Sequence, residues 1–244
     1  MLIQNAFSST FTIQDIPFFY IDAAALIIFI AAWVGYAWYA DRNYCREGNL
    51  LHTMDDMRLS WMRQMLRREN RIMDSTLIGN LLRSISFFAG TSIFLIIGLF
   101  TLLGYREQAI GMIEAIPFAM QPSTLLLEAK VFLMAWIFVY AFFKFTWSLR
   151  QYNYACILVG AAPFPNENIG KHEEFAKRAG DLIANAGRHF NMALRAYYFG
   201  LATISWFIHS GIFIVMTLWV VLVIFRREFR SHTVNNLSAL HNKD

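Results

Sequence analysis

The chain has 244 residues, of which 57% are hydrophobic, 16% aromatic and 16% charged. An average soluble domain carries about 25% charged residues, so this composition excludes a disordered chain, a protein that coats nucleic acid and an ordinary soluble domain. The net charge is only +4, from 21 Lys and Arg against 17 Asp and Glu, so the position of the charges along the chain is the informative quantity.

Four apolar runs are long enough to cross a membrane as helices. A helix needs about 20 mainly apolar residues to cross a hydrocarbon layer about 30 Å thick. The runs cover about residues 21–40, 84–103, 124–149 and 197–225, and all five prolines lie outside them. The sequence therefore predicts an all-α polytopic membrane protein with four transmembrane helices in a single membrane domain, residues 1–244. The first 20 residues contain no Lys or Arg, so we expect the first run to be a retained span and not a cleaved signal.

Residues 41–83, after the first run, are predicted to form a helix from Thr53 into the second span. Thr53 and Asp56 have the spacing of a capping box. The apolar positions recur mostly at steps of three and four: Met54, Met57, Trp61, Met65, Ile72 and Met73. Arg63, Arg67 and Arg71 form a column on another face, which suits anionic headgroups or carboxylates. Packing is the ordinary role of such a stripe, and a Met-rich groove for a partner is the alternative.

The third run contains three ionisable residues, Glu128, Lys130 and Lys144. A charge at the centre of a membrane helix costs about 2.5–3.5 kcal/mol on insertion scales. Lys130 and Lys144 project within about 40° of each other, because each residue advances a helix by about 100°. Two interpretations stay open: the lysines anchor the helix at its two boundaries by snorkelling, or they line an anion path through an oligomer.

Residues 150–196 lead into the fourth run and are interrupted at residues 160–170, GAAPFPNENIG, which cannot continue a helix. Beyond this break we predict one helix from about Lys171 to Arg226, about 84 Å long. A re-entrant hairpin that turns at His209, Ser210 and Gly211 is the alternative. Small residues that permit close helix contact precede the run: Ala179, Gly180, Ala184, Ala186 and Gly187. His209 is more typical of a hydrogen bond between helices than of a proton relay or a ligand.

Basic residues indicate the orientation, because cytoplasmic segments retain Lys and Arg. Residues 41–83 carry eight basic residues and residues 150–196 carry six, whereas the N-terminal segment has none and residues 104–123 have one. Both long segments are therefore predicted to be cytoplasmic helical extensions, and both termini to be periplasmic. The basic tail RREFR is the part of the sequence that fits this orientation worst.

Catalytic and metal-binding patterns are absent from the sequence. Cys45 and Cys156 are the only cysteines, and there is no phosphate-binding glycine loop, His-Glu-x-x-His or Gly-x-Ser-x-Gly motif. We therefore expect no bound metal, no cofactor and no enzyme activity, with an intramembrane enzyme as the remaining alternative.

Two polar stretches resemble a known family. RRENRIMD, residues 67–74, and WSLRQYNYACILVGAAP, residues 147–163, are similar to segments of an uncharacterised family of bacterial inner-membrane proteins, a domain of unknown function. The resemblance implies a four-span protein of the bacterial cytoplasmic membrane and supplies no activity. The polar residues in question are Arg67, Arg68, Asn70, Arg71, Asp74, Arg150, Gln151 and Asn153. They are predicted to form an interhelical hydrogen-bond network at the cytoplasmic boundary, with a ligand or partner site as the alternative.

Two functions fit these observations. The first is a homo-oligomeric channel or transporter-like assembly, indicated by the two lysines of the third run and by small residues of the second. The second is a scaffold or accessory subunit of a larger membrane complex, indicated by the Met-rich stripe and the basic extensions. The expected partners are membrane lipids and either further copies of the chain or other membrane subunits, and not nucleic acid.

Overall fold

The computed structural model describes residues 16–44, 49–115, 124–167 and 169–230. Its α-helices, numbered here in chain order, are α1 (Ile16–Arg42), α2 (Leu50–Leu66), α3 (Ile72–Gly104), α4 (Arg106–Glu114), α5 (Thr124–Ala161), α6 (His172–Ile204) and α7 (Ser210–Phe229). Short 3-10 turns occupy Ile169–Lys171 and Ser205–Phe207. The described residues contain no β-strand, which confirms the predicted all-α class.

Three of these helices are long and apolar enough to cross a membrane. They are Tyr20–Arg42 within α1, Ile72–Gly104, which is α3, and Thr124–Ala161, which is α5. Of the most apolar 18-residue stretch of each helix, only 22%, 17% and 44% respectively is buried inside the protein, as expected for helices surrounded by lipid. The chain is therefore a membrane protein, and the first three apolar runs coincide with these helices.

The predicted helix from Thr53 into the second span is wrong, because α2 ends at Leu66 and α3 begins at Ile72. Asn70 interrupts it, since its side-chain oxygen accepts the N–H of Ile72 at 3.0 Å and so caps the start of α3. The predicted capping box at Thr53 is also wrong. Asn49 is the N-cap of α2, and its side chain accepts the N–H of Leu51 at 2.9 Å.

The predicted single helix from 171 to 226 is wrong as well. Arg195 in α6 and Glu228 in α7 are joined at 2.8 Å, whereas 33 residues of one helix would separate them by about 50 Å. The chain therefore reverses between Ile204 and Ser210, as in the hairpin alternative but slightly earlier. Hydroxyl side chains compete with the helix there, because Thr203 and Ser205 donate to carbonyls three residues back, both at 2.6 Å.

Contacts group the chain into two compact units. The first unit comprises Met1–Asp41, Ile97–Ile137 and Tyr198–Val223. Its aromatic core surrounds Phe29, whose ring centroid lies 5.7 Å from that of Phe199 and 5.1 Å from that of Phe213. A smaller apolar cluster in this unit contains Ala109, Ile113 and Leu127.

The second unit comprises Arg42–Ile96, Phe138–Tyr197 and Ile224–Asp244. Its helices approach closely at the small residues predicted for this purpose. A Cβ added to Gly180 would lie 3.1 Å from the Cα of Leu59 in α2, so no side chain fits there without a shift. On another side of α6, the Ser148 hydroxyl of α5 donates to the Ala186 carbonyl at 2.7 Å. The close contacts predicted from this stripe are therefore present.

Candidate functional site

A carboxylate and an ammonium meet inside the first unit. Asp22 is the seventh residue of α1 and Lys130 the seventh of α5. Lys130 Nζ lies 3.7 Å from Asp22 Oδ1, and each side chain is only 7% exposed. Both residues belong to apolar helices that are long enough to cross a membrane. Ionisable residues in such positions are rare, pair with one another and mark functional sites in many membrane proteins.

The reversal between α6 and α7 supplies the remaining polar partners of this pair. Lys130 Nζ donates to the carbonyl of Trp206 at 3.0 Å, in the 3-10 turn where the regular α-helical bonding has stopped. The Trp206 indole N–H donates to Asp22 Oδ1 at 2.6 Å, and the Ser210 hydroxyl donates to the same oxygen. The four residues Asp22, Lys130, Trp206 and Ser210 are called the hairpin site below.

Apolar and aromatic surfaces enclose the hairpin site. The Trp206 ring stacks on Phe213 with centroids 4.9 Å apart, and Lys130 Nζ lies 5.0 Å from the Trp206 ring centre. Trp206 and Ser210 are 4% and 1% exposed. Two charges buried in this way are tolerated only when paired and hydrogen-bonded, and this site provides both. The pair is therefore held in one arrangement that depends on the chain reversal.

The other ionisable residues of the apolar runs have different surroundings. Glu128 pairs with Arg106 of α4 at 3.3 Å, where both side chains are partly exposed. Lys144 is half-buried, with its Nζ 5.5 Å from the Tyr140 ring centre. His209 is exposed and its Nδ1 accepts the N–H of Gly211 at 2.9 Å, so it caps the start of α7. Of the residues predicted from these runs, the structure brings Lys130 alone into the hairpin site.

The predicted cytoplasmic network is present in part. Asp74, which is fully buried, accepts the indole N–H of Trp61 at 2.7 Å and a guanidinium N–H of Arg68 at 2.9 Å. Arg71 donates to the carbonyls of Ala162, at 2.6 Å, and Pro163. Arg71 thereby caps the C-terminal end of α5, where carbonyls lack helical partners. These contacts bring the two resembling stretches together.

Other predicted members of that network lie apart from it. Arg67 is exposed, and Asn70 serves as the cap of α3. Gln151 is buried, and its side-chain oxygen has no hydrogen-bond partner within the described ranges. Arg150 and Asn153 are exposed and line a shallow groove of about 480 Å³ on one face of α5. Of the predicted network, the residues that make hydrogen bonds to other parts of the second unit or to each other are thus Arg68, Arg71 and Asp74.

Sequence reasoning missed most of the hairpin site. Neither Asp22 nor Trp206 is singled out by the sequence, and Ser210 enters only as part of the alternative hairpin turn. It also missed the pair of Arg195 with Glu228, whose side chains are each 9% exposed. The available signal was charge balance, since a lysine inside an apolar run needs an anion and Asp22 is an acid in another such run.

Outside the candidate spans, ionisable groups with shifted pKa values include Asp55, Glu173 and His189. Burial raises the pKa of Asp55, although the neighbouring Arg58 opposes the rise. Hydrogen bonds from Arg63 lower the pKa of Glu173. Burial, and then the positive charges of Lys144 and Arg188, lower the pKa of His189. Within the described part of the chain, no group of three His, Cys, Asp or Glu side chains is arranged to hold a metal ion.

Comparison with known proteins gives one match. A family model described as "Protein of unknown function, DUF599" matches residues 24–233. No curated protein and no protein of solved structure matches the chain. The matched range includes every resembling stretch and three of the four residues of the hairpin site.

Proposed function

Because the chain belongs to the DUF599 family of proteins of unknown function, we propose its function from the site itself: a homo-oligomeric, transporter-like protein of the bacterial cytoplasmic membrane. The observation that carries this proposal is the buried pair of Asp22 and Lys130 at the reversal between α6 and α7. Transporters commonly build their sites where a membrane helix is interrupted, because free backbone groups and charges can meet the solute there. The proposal includes no catalytic step.

The proposed topology places the hairpin site near the outer face of the membrane. Lys130 and Asp22 each lie about 9 Å along their helices from the first helical residue. The N-terminus is then periplasmic, and residues 41–83 and 150–196 are cytoplasmic, as their basic residues favour. The end of α6 enters the membrane after Arg195, and α7 returns from Ser210. The C-terminus is then cytoplasmic, which suits its basic RREFR motif better than the periplasm does.

Two features support the proposed homo-oligomer: the small number of helices and their exposure. A few membrane helices seldom enclose a path by themselves. The apolar surface of α3 includes Phe87 and Phe94, which are 68% and 76% exposed. Lipid or a second copy of the chain would cover such a surface. Native mass spectrometry of the complex released in nanodiscs tests this part, and a monomeric mass would contradict it.

Transport is tested with purified protein in liposomes that contain a pH-sensitive dye, under imposed gradients of monovalent salts. Charge movement is recorded in parallel on solid-supported membranes. We expect the wild type to exceed protein-free liposomes in at least one assay, and Asp22→Asn and Lys130→Met to remove the excess. Glu128→Gln is the matched control, because its pair with Arg106 is partly exposed. A wild type equal to protein-free liposomes in both assays, or fully active site variants, would refute the proposal.

A scaffold or accessory role is the second candidate. The observation that favours it is the exposure of Ile72 and Met73, at 72% and 52%, at the start of α3, a few positions after the exposed Arg67 in the chain. Part of the Met-rich stripe is used internally, since Met65 is fully buried. Recovery of a stoichiometric membrane partner that is lost with Met73→Ser, while the isolated protein moves no ion, would support this role over transport.

A further inference from the structure

The Lys130 ammonium occupies a place whose surroundings have the chemistry of a cation site. Its neighbours are a carboxylate oxygen of Asp22, the carbonyl of Trp206 and the face of the Trp206 ring, at 3.7, 3.0 and 5.0 Å. The Ser210 hydroxyl lies on the same carboxylate oxygen. Carboxylate, carbonyl and hydroxyl oxygens are the ligands that hard cations prefer, and unwound backbone carbonyls coordinate coupling ions in transporters with broken helices.

Charge balance makes this place selective for a single positive charge. Asp22 contributes one negative charge from α1, and the residues from the reversal, Trp206 and Ser210, contribute none. The nearby charges of α4 and α5, Arg106 and Glu128, are paired with each other. If Lys130 lost its proton, the Asp22 carboxylate would stay buried without compensation, which is strongly unfavourable. A monovalent cation on the same oxygens would restore the balance.

We propose that Asp22, Trp206 and Ser210 form a binding site for a monovalent alkali cation, which the Lys130 ammonium fills until it gives up its proton. The exchange is one for one: the proton leaves Lys130 Nζ for water, and the cation takes the place of the ammonium beside Asp22 Oδ1. The net charge of the site is the same before and after. The role of this site in the cell rests on the proposed transport function. In that function, the substrate would be a monovalent cation that is exchanged for a proton.

Binding is measured on the purified full-length protein, without any flux. Thermal unfolding in detergent is recorded at several pH values between about 6 and 10, with Na⁺, K⁺ or the bulky cation N-methyl-D-glucamine at constant ionic strength. We expect Na⁺ or K⁺ to stabilise the wild type at alkaline pH alone. While Lys130 is mainly protonated, the apparent Kd for the cation should rise about tenfold for each unit by which the pH falls, because one proton competes with one cation.

Variants of Lys130 separate the two occupants of the site. Lys130→Met removes the internal cation, so its response to Na⁺ or K⁺ should be present at every pH. Lys130→Arg keeps a charge that cannot be lost, so it should show no response at any pH. Asp22→Asn should remove the response of the wild type. Lys144→Met is the control, because Lys144 lies beside Tyr140, and it should behave as the wild type.

Two results would overturn the proposal. One is a folded Lys130→Met protein whose unfolding temperature is the same in Na⁺, K⁺ and N-methyl-D-glucamine. The other is a response of the unfolding temperature to Na⁺ or K⁺ that survives in Lys130→Arg or in Asp22→Asn. This second result tests the proposal even if Lys130→Met fails to fold. Cation binding without flux would reject the transport function and keep the site, whereas flux without cation binding would do the reverse.

Discussion

The pair of Arg195 and Glu228 gives the sharpest test of the hairpin between α6 and α7. Two parallel bonds of 2.8 Å join the guanidinium and the carboxylate, and both side chains are 9% exposed. Removing one charge from a buried pair costs about 3–5 kcal/mol, because the other stays buried without it. For a chain of about 250 residues this corresponds to a fall in Tm of about 6–20 °C. Glu228→Gln should show that fall in thermal unfolding followed in detergent.

A double variant and a matched control complete this test. Arg195→Met with Glu228→Leu replaces the ions by apolar groups, so its Tm should lie well above that of Glu228→Gln alone. Glu173→Gln breaks the pair with Arg63, whose side chains are 66% and 47% exposed, and should leave the Tm unchanged. An unchanged Tm in Glu228→Gln, or a double variant that is as unstable as Glu228→Gln, would contradict this explanation.

Three further predictions use other contacts. Asp74→Asn should cost about 1.5–3 kcal/mol of unfolding free energy, because its buried carboxylate loses charge-assisted bonds, and an unchanged denaturation midpoint would contradict this. Gly180→Ala should cost about 1–3 kcal/mol, because the Cα of Leu59 is 3.1 Å from the added Cβ. Gly79→Ala, in open space, should stabilise by up to about 1 kcal/mol, and equal Tm shifts in the two variants would refute the packing argument. Burial and neighbouring positive charges lower the pKa of His189 in the folded protein below the usual imidazole value of about 6.5, so stability should fall as the pH drops through that value. A pH series in which His189→Gln keeps the wild-type slope would reject this.

The sequence predicted those parts of the fold that depend on local composition. The apolar runs at 21–40, 84–103 and 124–149 coincide with helices because membrane length and hydropathy are properties of a single segment. The break at residues 160–170 was predicted for the same reason, since α5 ends at Ala161 and α6 begins at His172. The small residues around Gly180 likewise predicted a close contact before the partner helix was known.

The two helices that were wrongly predicted to continue are interrupted at places where distant residues also contribute. The interruptions after Leu66 and Ile204 fall inside periodic or apolar stretches, where the local pattern favours a continuous helix. Distant partners stabilise them: Arg71 binds carbonyls at the end of α5, and Asp22 binds Trp206 of the reversal. The hairpin site was hidden for the same reason, because its members lie up to 188 positions apart in the chain. A single sequence does not indicate which of such distant residues contact each other in the folded protein.

The length of α5 has a mechanical consequence. Its 38 residues extend about 57 Å, roughly twice the thickness of the hydrocarbon layer, without a proline. A rod of this kind acts as a lever, because a tilt of about 10° about one end displaces the other end by about 10 Å. Lys130 lies near the first end, and the guanidinium of Arg71 holds the last carbonyls at the second. A small change in the angle of α5 at its first turn would therefore displace its own last turn by several ångströms.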